Sequence, residues 1–182
     1  EGVPFTVPSA NPESYQAVLR DGEDCLARRP VTLQGLLFPQ AEPAPLVLVV
    51  PGSVGVAKSH RAHAETLHGA GYATAVLDPF GGRAVASTVA NQTQYTFAAG
   101  AFDVCRAAAL LAQRPEVRGG QVGVQGHSRG GSAVLQAAVT RFREAAGGPP
   151  LAGAYAVYPW CGHQFLNPAV GSTAVRGIIG DG

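Results

Sequence analysis

The stretch that most constrains the fold is QVGVQGHSRGG, which occupies residues 121–131. Two valines alternate with other residues at its start, and apolar residues at helical spacing follow it, so the sequence predicts a strand, a sharp turn and a helix. The turn carries the pattern Gly-x-Ser-x-Gly, in which a strained backbone raises the serine hydroxyl above the sheet edge. Large side chains at Gly126 and Gly130 would collide with neighbouring backbone. Ser128 is therefore a candidate catalytic nucleophile, and the alternative is a glycine-rich loop that happens to contain a serine.

Two backbone donors are predicted beside this serine. The N–H of Arg129 opens the helix after the turn, where the helix dipole helps it to stabilise an oxygen that becomes negative in a tetrahedral intermediate. The loop PGSVG at residues 51–55 follows a buried strand and precedes a helix, which is where this architecture has its second donor. We expect that donor to be the N–H of Ser53 or Val54. The alternative is a tight turn that needs glycine for its shape alone.

The composition limits the class of protein. At 182 residues the chain is large enough for one domain with a sizeable core. Hydrophobic residues make up 46% of the sequence, charged residues 14%, and the net charge is +1, which excludes disorder and a nucleic-acid-binding surface. No apolar run approaches the roughly 18 residues needed to cross a bilayer, so no membrane span is expected.

Strands and helices alternate along the chain. Beside the strand and helix that flank Ser128, the latter running to about residue 146, the sequence predicts strands at 31–38, 46–50, 72–77, 151–158 and 174–179, and helices at 13–20, 57–70 and 97–113. With no internal repeat and no linker, this alternation indicates one doubly wound, mostly parallel α/β sheet with helices on both faces. Residues 1–30 are interpreted as an N-terminal arm, irregular over 1–12. Residues 31–182 are interpreted as the N-terminal portion of a single α/β-hydrolase domain whose C-terminal part is missing from this chain.

In such sheets the site lies at the carboxyl ends of the strands. The loops expected to meet there are 51–55, 78–83, 126–130 and 159–165. Trp160 is a candidate wall of an apolar acyl or alcohol pocket, with a core position as the alternative. Arg83 is a candidate for binding an anionic substrate group, although a solvated loop arginine is the commoner case. His163 is a candidate pocket residue, and its alternatives are a surface position and a local base for Ser128.

Five segments together carry a family resemblance. They are PGSVGV at 51–56, GYATAVLDPFGGR at 71–83, GHSRGG at 126–131, YPWC at 158–161 and IIGDG at 178–182. With them the chain, from about residue 31 to its end, resembles the dienelactone hydrolase family of α/β-hydrolases, particularly its serine-bearing relatives. The resemblance implies hydrolysis of a small-molecule ester or lactone through an acyl-enzyme, without a cofactor. It also implies that Ser128 is the nucleophile, that Arg129 and residues 53–54 form the oxyanion hole, and that residues 180–182 begin the acid loop.

A serine needs a histidine to take its proton and a carboxylate to orient that histidine, and in α/β-hydrolases the order along the chain is serine, acid, histidine. After Ser128 the carboxylates are Glu144 and Asp181, and the histidine is His163, which precedes Asp181. The acid is therefore predicted to be Asp181 or a residue just beyond Gly182, and the base to come from a companion segment after residue 182 or from a second chain. The competing hypothesis is a non-catalytic binding or scaffold protein with the α/β-hydrolase fold.

The remaining expectations concern cysteines, metals and processing. Cys25, Cys105 and Cys161 show no metal-ligand spacing, so no metal site is predicted. Cys105 is expected to be a buried thiol. Cys25 and Cys161 lie in predicted loops, so either of them could form a disulfide, with the other or with a cysteine outside this chain. The sequence starts at Glu1 and contains no methionine, which suggests a processed piece. Removal of a secretory signal would explain that start and would make the protein secreted or periplasmic.

Overall fold

The computed structural model, which describes residues 2–180, contains a mixed seven-stranded sheet in the order β1-β2-β4-β3-β5-β6-β7. Strands β1 and β2 are antiparallel to their neighbours, and the strands from β4 to β7 in the sheet order run parallel. The strands are β1 (Val3–Ala10), β2 (Pro30–Phe38), β3 (Ala44–Val50), β4 (Ala73–Asp78), β5 (Val117–His127), β6 (Gly153–Val157) and β7 (Ala174–Ile178). This sheet with flanking helices confirms the predicted doubly wound, mostly parallel α/β architecture.

Helices cover both faces of the sheet. They are α1 (Tyr15–Asp21), α2 (Cys25–Arg28), α3 (Lys58–Gly69), α4 (Phe97–Ala112), α5 (Arg129–Ala138) and α6 (Thr140–Ala145). None of the helices in residues 2–180 is long and apolar enough to cross a membrane.

Strand β3 shows how the two faces differ. Successive side chains of a strand point to opposite faces, and Leu48 belongs to the large core cluster that contains Phe102 of α4. Its neighbour Val49 lies instead in a small cluster with Ala64 of α3 and Val76 of β4. The α4 and α5 side therefore holds the main core, and α3 covers the opposite face.

The N-terminal segment differs from the prediction. Residues 3–10 do not form an irregular arm but the edge strand β1, which pairs antiparallel with β2 along its whole length. Pro4 and Pro8 are unusual residues for a strand because proline has no N–H for a ladder. An edge strand tolerates proline, since one side of its backbone has no neighbour. The alternating burial of Phe5 and Val7 places their side chains in the core.

The helix after Ser128 is also shorter than expected. It ends at Ala138, and a second helix, α6, begins at Thr140. Val139 between them has an extended backbone, with φ −64° and ψ 115°. The N–H of Thr140 donates to the carbonyl of Ala169 at 2.8 Å instead of continuing the α5 hydrogen-bond pattern. The break between α5 and α6 therefore frees the Thr140 N–H to bind the long connection between β6 and β7.

The cysteines do not form a disulfide within the described residues. Cys25 and Cys105 are buried, Cys161 is exposed, and all are free thiols. Burial raises the pKa of the Cys105 thiol to about 12, which agrees with its predicted place in the core and keeps it unreactive.

Candidate functional site

Ser128 lies in the turn between the end of β5 and the start of α5. Its backbone has φ 53° and ψ −115°, a conformation that L-residues rarely adopt, and its side chain is exposed. The N–H of Ser128 donates to the carbonyl of Val157 at 2.8 Å, which ties the turn to the end of β6. The sequence 121–131 therefore folds into the strand, strained turn and helix that the Gly-x-Ser-x-Gly pattern predicts.

Steric contacts explain the two glycines of that pattern. A Cβ on Gly126 would lie 2.0 Å from the carbonyl oxygen of Gly130. A Cβ on Gly130 would lie 2.4 Å from the carbonyl oxygen of Pro51 and 2.5 Å from that of Val50. All three distances are far below van der Waals contact with backbone, so only glycine permits this tight packing of the turn against the end of β3.

The loop 51–55 packs directly against the turn. A Cβ on Gly52 would lie 3.2 Å from the Cβ of Ser128 and 3.0 Å from the carbonyl oxygen of His127. The carbonyl of Gly52 accepts a hydrogen bond from the N–H of Gly55 at 3.1 Å. Because a trans peptide points its N–H away from its C=O, this bond fixes the direction of the Ser53 N–H. Ser53 thus follows, in sequence, the glycine that packs closely against Ser128.

The predicted backbone donors are free of other acceptors. In residues 2–180, the N–H groups of Ser53, Val54 and Arg129 make no hydrogen bond to backbone or side chains. Arg129 is the first residue of α5, where a helix leaves its N–H groups unsatisfied and carries the positive end of its dipole. The structure brings Gly52, the residue before Ser53, next to Ser128, while Val54 is 62% exposed at the loop tip.

Trp160 and its loop lie beside the turn. A Cβ on Gly131 would lie 3.2 Å from Pro159, and the Trp160 carbonyl accepts a hydrogen bond from Ser132 Oγ at 2.6 Å. The Trp160 ring packs on Phe97 with centroids 4.9 Å apart and remains half exposed. Trp160 thus lies near the first turn of α5 with half of its surface exposed, and its role as a pocket wall stays a prediction.

His163 is held among aromatic rings. Its Nδ1 shares a hydrogen bond with Nε2 of Gln136 at 3.2 Å, and its ring packs on those of Tyr15, Phe97 and Trp160. Gln136 is eight residues after Ser128, roughly 12 Å along the helix axis, so this contact does not bring the imidazole to the serine. Burial lowers the pKa of His163. The contacts favour a packing role over that of a local base.

The structure gives Arg83 a different place from the one predicted. Its guanidinium forms a bidentate ion pair with Asp103, with N–O distances of 2.6 and 2.9 Å, and the two side chains are only 3% and 1% exposed. It also donates to Asn11 Oδ1 and to the carbonyls of Ala10 and Pro79. With its donors already engaged, Arg83 is not available to an anionic substrate group. It fastens the N-terminal segment to α4.

A histidine cluster beside Ser128 was not anticipated. The ring of His127 packs against those of His60 and His63 of α3, with centroids 4.9 and 4.8 Å apart. Both ring nitrogens of His127 are buried and lack a partner among the described residues. Burial, with the neighbouring imidazoles, lowers the pKa of His127 to about 4. The residues were visible in sequence, but their meeting depends on how α3 packs on the sheet.

A complete proton relay is not found within residues 2–180. No histidine there hydrogen-bonds or forms an ion pair with a carboxylate. Glu144, one of the two carboxylates after Ser128, lies on α6 beside Arg143. Asp181, the predicted acid, lies outside the described residues. No group of three or more His, Cys, Asp or Glu in the same range is arranged to hold a metal ion.

The turn, its glycines and the adjoining loop can now be compared with known proteins. A sequence model of the dienelactone hydrolase family matches residues 33–150, more than half of the chain. The chain belongs to the dienelactone hydrolase family. The matched range contains the loop 51–55, Ser128 and both glycines of the turn. None of the curated proteins matches the chain in sequence.

Solved structures agree with this fold. A dienelactone hydrolase-like promiscuous phosphotriesterase from metagenomic libraries aligns with a TM-score of 0.63 at 18% identity, covering 97% of this chain and 67% of that protein. Est1E from Butyrivibrio proteoclasticus aligns with a TM-score of 0.54 at 21% identity, covering 71% of this chain and 47% of that one. The esterase Est22 aligns with a TM-score of 0.59 at 16% identity, covering 91% of this chain and 45% of that protein. The chain thus spans about half the length of Est1E and Est22.

Proposed function

We propose that this chain carries the nucleophile and oxyanion hole of a serine hydrolase that cleaves a carboxylic ester or lactone. Membership of the dienelactone hydrolase family and the esterases among the structural relatives support a hydrolase of this type. The observation that carries the proposal is Ser128, whose exposed hydroxyl is held on a strained turn beside N–H groups without acceptors.

In the proposed reaction, Ser128 Oγ attacks the carbonyl carbon of the ester while a base takes the hydroxyl proton. The carbonyl oxygen becomes negative and accepts hydrogen bonds from the N–H of Arg129 and that of Ser53 or Val54. The carbon–oxygen bond to the alcohol then breaks, and the alcohol leaves with the proton. Water, deprotonated by the same base, attacks the acyl-enzyme and releases the acid and the free serine.

The base and its carboxylate are proposed to come from a companion segment after residue 182, with Asp181 as a candidate acid. The reason is chemical: a serine hydroxyl is a weak nucleophile without an oriented imidazole, and residues 2–180 contain no histidine paired with a carboxylate. A small ester or lactone would bind against the exposed face of Trp160, near the first turn of α5.

Covalent labelling tests the proposal. A fluorophosphonate should modify Ser128 in the protein that includes the companion segment, and Ser128→Ala should abolish both labelling and ester turnover. Ser59→Ala is a matched control because Ser59 is also exposed but lies on α3 in a regular helix. Absence of labelling and turnover in the unsubstituted protein would reject the hydrolase.

A second candidate is a non-catalytic binding protein with the same fold. The observation in its favour is the missing histidine–carboxylate pair in residues 2–180. The residues encoded after Gly182 separate the two: a carboxylate followed by a histidine some tens of residues later favours the enzyme. A parent reading frame without them favours the binding protein.

A further inference from the structure

The side chain of Arg129 is buried without a carboxylate partner among the described residues. It is 5% exposed, and its guanidinium donates to the carbonyl and the side-chain oxygen of Gln92 at 3.0 and 2.8 Å and to the carbonyl of Tyr95 at 2.6 Å. It also stacks on the rings of Tyr95 and Phe97, 4.4 and 4.2 Å from their centroids. Burying a cation among neutral oxygens is costly, so these contacts call for an explanation beyond packing.

Gln92 connects this guanidinium to the predicted oxyanion loop. Its Nε2 donates to Ser53 Oγ at 3.0 Å, while its Oε1 accepts from Arg129 at 2.8 Å and, at the longer distance of 3.4 Å, from Ser53 Oγ. The bonds from Arg129 to Oε1 and to the carbonyl of Gln92 hold the carboxamide where both of its arms reach Ser53 Oγ. The residue after the nucleophile therefore orients a side chain that contacts the loop on the other side of the site.

The same connection holds the carbonyl of Ser53. That oxygen accepts from the N–H of Thr88 at 2.8 Å and from Ser87 Oγ at 3.0 Å. Both donors belong to the connection between β4 and α4 that also contains Gln92. Ser53 is thus bound through its hydroxyl and its carbonyl, which restrains both peptides whose N–H groups are candidate oxyanion donors.

We propose that Arg129 and Gln92 are positioning residues for the oxyanion hole: the guanidinium fixes Gln92, and Gln92 fixes Ser53 and the peptides on either side of it. This inference rests on the proposed function for its catalytic consequence. Its structural part, the restraint of residues 53–54, has a readout of its own.

Gln92→Ala is the principal test because Gln92 is exposed and its loss should not unfold the protein. We expect kcat for ester hydrolysis to fall about 10- to 100-fold with KM changed less than about threefold, since a misplaced donor weakens binding of the transition state more than that of the substrate. Thr93→Ala is the control: Thr93 is exposed in the same connection, but its hydroxyl binds Asn91 Oδ1 rather than Ser53 or the residues that hold Ser53.

Arg129→Lys removes the planar fork that reaches Gln92 and Tyr95 together, and it should lower kcat similarly. Combining Gln92→Ala with Ser53→Ala should cost no more than either change alone, because both break the same contact. Equal kcat in Gln92→Ala and the unsubstituted enzyme, or fully additive losses, would overturn the inference.

Amide hydrogen exchange separates this inference from the proposed function. Exchange at Ser53 and Val54 should be faster in Gln92→Ala and Arg129→Lys than in Thr93→Ala, whether or not the protein turns over esters. Unchanged exchange would overturn the restraint. An unsubstituted protein that neither labels nor hydrolyses esters would instead reject the hydrolase, and the exchange rates would still decide the restraint.

Discussion

Replacing Ser128 by glycine should stabilise the protein while destroying the proposed nucleophile. The backbone at Ser128 has φ 53° and ψ −115°, and strain of this kind costs of order 1–3 kcal/mol. Glycine relieves this strain, but its greater freedom in the unfolded chain offsets roughly 0.5–1 kcal/mol of the gain. The side chain is exposed and makes no hydrogen bond to the described residues, so little packing is lost. The free energy of unfolding should therefore rise by about 0.5–2 kcal/mol.

Ser128→Ala is the matched comparison, because it removes the same hydroxyl but leaves a Cβ on the strained backbone. Urea and thermal unfolding of the two variants would give the difference directly. We expect the glycine variant to melt about 2–4 °C above the alanine variant for each kcal/mol gained. Ala62→Gly, on the exposed side of α3, is the control and should lose about 1 kcal/mol, because glycine weakens a regular helix.

One result would refute this reasoning. If Ser128→Gly were no more stable than Ser128→Ala while Ala62→Gly lost stability as expected, the turn would hold a Cβ without strain. The positive φ at Ser128 would then store no conformational energy.

Three further predictions follow from packing and charge. Gly126→Ala should lower the free energy of unfolding in urea by about 3 kcal/mol, because its Cβ would meet the Gly130 oxygen at 2.0 Å. Gly100→Ala is the control: its Cβ would have no atom nearer than 3.7 Å, so it should stabilise α4 by about 0.5–1 kcal/mol. Asp103→Ala should cost about 3–5 kcal/mol by leaving its arginine partner buried without a carboxylate. Burial lowers the pKa of His127 to about 4, below about 6.5 in the unfolded chain, so the unfolded state binds the proton first. The free energy of unfolding should therefore fall by about 1–2 kcal/mol as the pH drops from 6.5 to 4. This loss is smaller than the full pKa shift would give, because water screens the cluster. In His127→Gln the free energy of unfolding should depend less on pH over this range.

Local steric rules explain what the sequence predicted well. The turn at Ser128 needs glycine two positions before and after it, and those requirements arise from atoms within a few residues or in the adjoining strand. The apolar run of β3 predicts a central strand for a similar reason, because a strand covered on both faces needs apolar side chains throughout.

Long-range pairing explains what the sequence did not predict. Strand β1 depends on β2, which begins at Pro30, and its prolines are acceptable only because it lies at the sheet edge. Arg83 is buried because Asp103, on α4, meets it in the interior. A sequence pattern reports the type of each residue but not its partner, so an arginine in a loop and an arginine in a buried ion pair look the same.

Two features of the site favour the hydrolase over a binding protein with the same fold. Backbone strain at an exposed serine costs of order 1–3 kcal/mol, and packing alone would relieve it with glycine. A buried guanidinium satisfied by neutral oxygens is also costly, and an apolar side chain between the rings of Tyr95 and Phe97 would avoid that cost. Both unfavourable features lie at consecutive residues, Ser128 and Arg129. A binding protein that retained the fold for packing has no need of either. In the proposed hydrolase, the first feature presents the nucleophile and the second positions the oxyanion loop.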